Sequence, residues 1–211
     1  MAETAPGPND FHCVTRWRVD GSCGEVADVL SDPLSLSRWW PSVYLSVEEL
    51  EPPDEFGRGH RLRLHTKGWL PYTLRWDLTV VESHYPNRIA IDASGDLVGR
   101  GVWTFVQDGP AVNVIYEWTV RVEKPLLRNL SFLLKPIFEA NHRWAMAQGE
   151  QSLALELLRR RSLSDDARAR VPPPPGPVTY AGVAIVGGAA IAGAGLAYLI
   201  LRATRRRRRR R

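Results

Sequence analysis

Residues 95–122, GDLVGRGVWTFVQDGPAVNVIYEWTVRV, alternate in the manner of two β-strands joined by a turn. In the second half, Val112, Val114, Tyr116, Trp118, Val120 and Val122 fall on one face. Asn113, Ile115, Glu117, Thr119 and Arg121 fall on the other. Gln107-Asp108-Gly109-Pro110 supplies the turn. The apolar face is wide because Tyr116 and Trp118 stand on it. Such a hairpin needs further strands beside it and a cover over it.

The preceding residues supply the strands. After a disordered lead, residues 1–10, Phe11 to Val19 alternates Phe11, Cys13, Thr15, Trp17 and Val19 against His12, Val14, Arg16 and Arg18. Ser22 is placed to cap a short helix, and Pro33 ends it. A second short helical piece runs from Leu34 to Trp40. Strands follow at Val43–Leu50, His60–Thr66, Tyr72–Val81 and Arg88–Ala93, with Pro, Gly, Asp and Asn in the connections. Gly95, Gly99 and Gly101 read as a turn between strands, since no Lys-Ser/Thr follows to make a phosphate cradle.

After the hairpin, Pro125 to Arg161 is helical in composition. Pro136 lacks a donor and is expected to break or kink the run, leaving Ile137–Arg160 as the main helix. Phe138, His142, Ala145, Met146, Gly149, Leu153 and Leu157 form one stripe on it, with Asn141 and Trp144 beside the stripe. It is the only element long enough to cover the sheet. The expected fold class is therefore α+β in a helix-grip arrangement: a curved antiparallel sheet of about seven strands around a long C-terminal helix. The domain spans residues 11–161.

Four segments resemble the START-like, or SRPBCC, superfamily in its polyketide cyclase/dehydrase branch. They are Asp32-Pro33 through Trp39-Trp40-Pro41, Gly59 to Val80, Gly95 to Trp103, and Asn141-His142-Arg143-Trp144-Ala145-Met146. The resemblance lies in element order and aromatic placement. It implies the same fold and a hydrophobic guest: members bind lipids, sterols, polyketides or plant metabolites, and only some are enzymes. It carries no family-wide catalytic signature.

Strand parity and the helical stripe turn Trp40, Trp76, Trp103, Tyr116, Trp118, Asn141 and Trp144 toward the space between sheet and helix, as ligand-binding residues. Acid–base work needs a titratable group on that side. Asp77 and Glu117 fall outward by parity, which leaves Tyr116, His60 and Asp96 as the catalytic candidates. His142 on an apolar helix face reads first as a core histidine. His60 and His65 lie on opposite faces of one strand, and no HExxH, Cys/His cluster or GxSxG is present, so no metal and no cofactor are expected. Cys13 and Cys23 read as small buried hydrophobes. Binding is favoured over a polyketide aromatase/cyclase-type reaction. A third reading is an adaptor whose hollow is filled by tryptophans.

The net charge of +5 belongs to a tail, because residues 202–211 hold eight arginines and the rest of the chain sums to −3. A mildly acidic folded part argues against nucleic-acid binding. Residues 162–179 include VPPPPGP, a proline-rich linker. Tyr180 to Leu201 is a run of 22 uncharged residues, long enough at about 1.5 Å per residue to cross a bilayer. A single-pass anchor is expected there, with the Arg tail at anionic lipid headgroups and the domain on the cytoplasmic side. Small residues at Gly188/Ala192, Ala189/Gly193 and Gly193/Ala197 permit weak self-association through that helix.

Overall fold

In the computed structural model, which describes residues 10–123 and 131–179, seven antiparallel strands form one sheet in the order β1-β7-β6-β5-β4-β3-β2. They are β1 (Asp10–Asp20), β2 (Tyr44–Glu51), β3 (Arg61–Lys67), β4 (Thr73–His84), β5 (Arg88–Gly95), β6 (Leu97–Asp108) and β7 (Ala111–Val122). The hairpin pairs from Leu97↔Val122 to Asp108↔Ala111, around a turn at Gly109-Pro110. All the residues assigned to the inner face of β7 are buried, from Val112 to Val122. The first strand packs on the same face through Phe11, Trp17 and Val19, and it pairs with β7 from Asp10↔Arg121 to Asp20↔Ala111.

One turn expectation is corrected. Gly95 ends β5 beside the turn at Asp96, with φ +107°, but Gly99 and Gly101 lie inside β6. Gly101 stands opposite Trp118. A Cβ there would sit 2.6 Å from the Tyr116 hydroxyl oxygen and 2.9 Å from Trp118 Cε3. The missing side chain is what lets two large rings lie over β6.

The helices are α1 (Cys23–Leu30), a 3₁₀ turn (Pro33–Ser35), α2 (Leu36–Trp39), α3 (Ser131–Arg161) and α4 (Asp165–Arg170). Ser22 caps α1 through a reciprocal pair. Its Oγ accepts from the Glu25 N–H at 3.3 Å, and its own N–H donates to Glu25 Oε2 at 2.8 Å. Pro136 does not break the helix, and α3 begins six residues earlier than Ile137 and runs through it. The proline falls in the first two turns, where its missing donor costs a single bond near a helix end. The expected stripe is the inner face of α3, with Met146, Gly149, Leu153 and Leu157 buried. A Cβ on Gly149 would lie 2.6 Å from Trp40 Cε2, so the indole rests directly on the helix backbone.

The same face holds a group the apolar stripe did not announce. Glu156 is 1 % exposed. Its carboxylate accepts from Arg38 Nη1 and Nη2 at 2.9 and 2.8 Å, from Arg160 Nε at 2.9 Å and from Arg159 Nη1 at 3.3 Å. Burial alone would raise its pKa, but the hydrogen bonds from Arg38 and Arg160 outweigh it and hold the carboxyl at about 2. The bidentate contact ties α2 to α3 at the end of the sheet that α1 covers.

The linker expectation is also modified. Residues 165–170 form α4, capped by Ser164, and Arg159 Nη2 donates to the Pro172 carbonyl at 2.9 Å. Among the described residues no helix is long and apolar enough to cross a membrane. The stretch Tyr180–Leu201 and the arginines after it lie outside the described residues, as does the lead before Asp10.

Candidate functional site

Two cavities, of about 160 and 140 Å³, lie against the inner face of the sheet, the first under α3 and the second under the α1–α2 segment. They share five wall residues: Trp40, Tyr44, Trp76, Tyr116 and Met146. Along β4 the first cavity is lined by Leu74 and Trp76, and the second by Trp76, Leu78, Val80 and Ser83. Along α3 the first takes Phe138, Glu139, Asn141, His142, Ala145 and Met146, and the second takes Met146 alone. The two are therefore chambers in series along the strand direction, separated by one partition.

Most of the aromatic residues expected at the site are there. Trp40, Trp76, Tyr116, Trp118 and Asn141 line the first chamber, and Trp103 lines the second. Tyr116 stacks on Trp103 with ring centroids 3.9 Å apart and lies 5.8 Å from Trp118. Trp76 Nε1 donates to Thr66 Oγ1 at 3.1 Å, a buried bond that fixes the indole. Trp144 is half-buried on α3 and lines neither chamber. Trp17 and Trp39 fill space beside Trp40, with ring centroids 5.7 and 5.5 Å from it.

The Asn141 side chain does different work from the contact expected of it. Its Oδ1 accepts from the Trp69 N–H at 2.9 Å and the Leu70 N–H at 3.3 Å. It pins the β3–β4 connection to α3 at the mouth of the first chamber. Gly68 lies under it, in a place where any Cβ would collide with the amide.

The three acid–base candidates separate. Asp96 lies in the β5–β6 turn, where its Oδ2 accepts from the Arg75 N–H at 2.9 Å, and it lines neither chamber. His60 lines the second chamber, with its Nε2 2.8 Å from Glu49 Oε1. Tyr116 lines both, and burial, with lesser contributions from Tyr44 and Cys13, pushes its hydroxyl pKa well above the ordinary value. Among the described residues no group of His, Cys, Asp and Glu is arranged to hold a metal.

His142 also lines the first chamber, and its Nε2 is buried with no hydrogen-bond partner among the described residues. Burial first, and then the neighbouring Arg143 charge, lower its pKa to about 4. The ring is neutral in the fold at pH 7 yet gains a proton near 6.5 once unfolded. The unfolded chain thus binds more protons between those values, and the contribution of the neutral ring is lost as pH falls from 6.5 toward 4. Between pH 7 and pH 5 the chain is expected to lose about 2 kcal/mol through this group. Denaturant unfolding at the two pH values checks this, and His142→Phe should remove most of the difference.

A family model described as polyketide cyclase / dehydrase and lipid transport matches residues 11–157. No curated protein matches the chain. Among solved structures, the protein TTHA0849 from Thermus thermophilus is similar at 19% identity and a TM-score of 0.58, over 72% of this chain and 99% of that one. The Zhui aromatase/cyclase from a Streptomyces species is similar at 17% identity and a TM-score of 0.58, over 74% and 98%. The di-domain ARO/CYC BexL shares 16% identity at a TM-score of 0.51, over 80% of this chain and 52% of that one. At these identities the likeness is one of fold.

Proposed function

Since the chain belongs to the polyketide cyclase / dehydrase and lipid transport family, we propose that it binds a hydrophobic small molecule or lipid between the sheet and α3 and does so without transforming it. The observation that carries this reading is the aromatic and aliphatic lining of the first chamber, left open although Trp17, Trp39 and Trp40 are packed beside it. Two titratable groups facing that chamber, Tyr116 and His142, support binding over chemistry. A general acid or base works best with a pKa near the operating pH. The Tyr116 hydroxyl is pushed far above that range and the His142 ring far below it. The uncharged run Tyr180–Leu201 supports a single-pass anchor, which would keep the domain beside the bilayer in which such a guest dissolves. We place the domain on the cytoplasmic side.

The second reading is an aromatase/cyclase-type reaction, favoured by one observation: Tyr116 and His142 line the same chamber. Native mass spectrometry of the full chain released from its membranes separates the readings. A co-purifying lipid or polycyclic molecule of unchanged mass is the expected result. Conversion of an added aromatic polyketide chain would favour the enzyme. An empty protein, whose tryptophan fluorescence responds to neither fatty acids nor polycyclic aromatics, would leave a non-catalytic adaptor.

A further inference from the structure

The partition between the chambers is made of four aromatic side chains and Met146. Trp40 rests on the Gly149 backbone and meets the Tyr44 ring at 5.2 Å. Trp76 is tied to Thr66 through its indole N–H. Tyr116 is stacked between Trp103 and Trp118. Met146 is buried and lines both chambers, and its unbranched thioether is the most adaptable side chain of the five.

Each chamber alone is about the size of the engineered cavity, roughly 150 Å³, that holds benzene. Neither holds a lipid or a polycyclic polyketide by itself. From Leu74 to Ser83 the linings follow β4 for nine residues, about 30 Å of strand. The ends differ in charge. Lys67 and Glu139 line the first chamber, where β3 ends. The far end of the second chamber is lined by the uncharged Ser31, Pro33, Pro53 and Gly57, of which Ser31 and Pro53 are exposed. Its one ionisable lining residue besides the tyrosines is His60.

We propose that Met146 is a gate that sets guest length, and that the guest is a single-chain amphiphile. Its polar end stays at the Lys67–Glu139 end of the first chamber, and its hydrocarbon chain passes Met146 into the second chamber. This rests on the binding reading above and narrows it to an elongated, flexible guest.

The test is a chain-length series on the full chain held in amphipol, which avoids single-chain detergents. Octanoate, dodecanoate and hexadecanoate displace the fluorescent linear probe cis-parinarate, with 1-aminonaphthalene as a compact probe. The expected result is affinity that keeps rising beyond eight carbons, by up to about threefold to fourfold per methylene. In Met146→Ile, whose β-branched side chain is stiff, the rise should stop near octanoate. Leu78→Trp, which fills the second chamber, should stop it at the same length. Thermal melts establish that each variant is folded, and if one is not, the other decides. Affinity that levels off at octanoate in the natural protein, or full chain-length dependence in both folded variants, overturns the gate. In that event, binding of 1-aminonaphthalene leaves the broader binding reading standing. If no probe binds, both fall.

Discussion

Trp40→Ala is expected to lower the stability of the chain by about 3–5 kcal/mol, the range for removing a large aromatic from a packed core. Trp40 is 2 % exposed, rests on the Gly149 backbone, and touches the rings of Trp17, Trp39 and Tyr44. None of these neighbours can follow it into the space it leaves. Gly149 has no side chain to extend, and Trp17 and Trp39 are held by their own strand and helix. For a folded unit of this size the loss corresponds to a fall in melting temperature of roughly 6–20 °C. The void would join both chambers, since Trp40 lines each of them. Indole added in excess should therefore occupy it and recover part of the lost melting temperature, as any ligand specific to the folded state does. Calorimetry of the variant with and without indole measures both effects. A shift below about 1 kcal/mol, within the range of ordinary surface substitutions, would show that the helix does not rest on this ring.

Gly99→Ala is expected to cost at least the upper end of the roughly 1–3 kcal/mol usual for overpacking. The residue lies in a central strand, paired with Ala93 of β5 and Val120 of β7. An added Cβ would fall 2.7 Å from Val120 Cα and closer still to the Thr119 carbonyl oxygen. Both are backbone atoms of a strand paired on its other side with β1, so relief requires separating two strands rather than turning a side chain. Loss of cooperative unfolding, or recovery only as aggregate, is the expected readout. A variant that melts like the natural protein would mean the β6–β7 pairing is looser than the structure describes.

These two positions also mark what periodicity conveys and what it does not. The buried face of β7 is legible in sequence because a strand has only two faces, and the residues on one of them are aromatic or β-branched. Trp40 is legible as an inward ring from its place in the resembling segment. Gly99 reads as a turn residue, wrongly, because glycine signals both a bend and a close approach, and spacing does not distinguish them. Pro136 reads as a break because its nearness to a helix start depends on where the helix begins, outside any periodic signal. Glu156 carries no local sign of burial, since its principal partner, Arg38, lies 118 residues away. The partition is invisible for a related reason. Parity says that Trp76, Tyr116 and Met146 face inward, but not that they meet. Asn141 lines the first chamber, but its hydrogen-bond partners are backbone amides, which are the same in every sequence.

The sheet order leaves β1 and β2 as its outermost members. On β2, Glu48, Glu49 and Glu51 follow one another closely, and Pro52-Pro53 cuts the strand short. Two copies meeting margin to margin along β2 would set carboxylate against carboxylate, and the prolines could donate nothing to a continuing ladder. Pairing of two copies along β2 is thus resisted by repulsion built into the flank, and raising salt should weaken that resistance first.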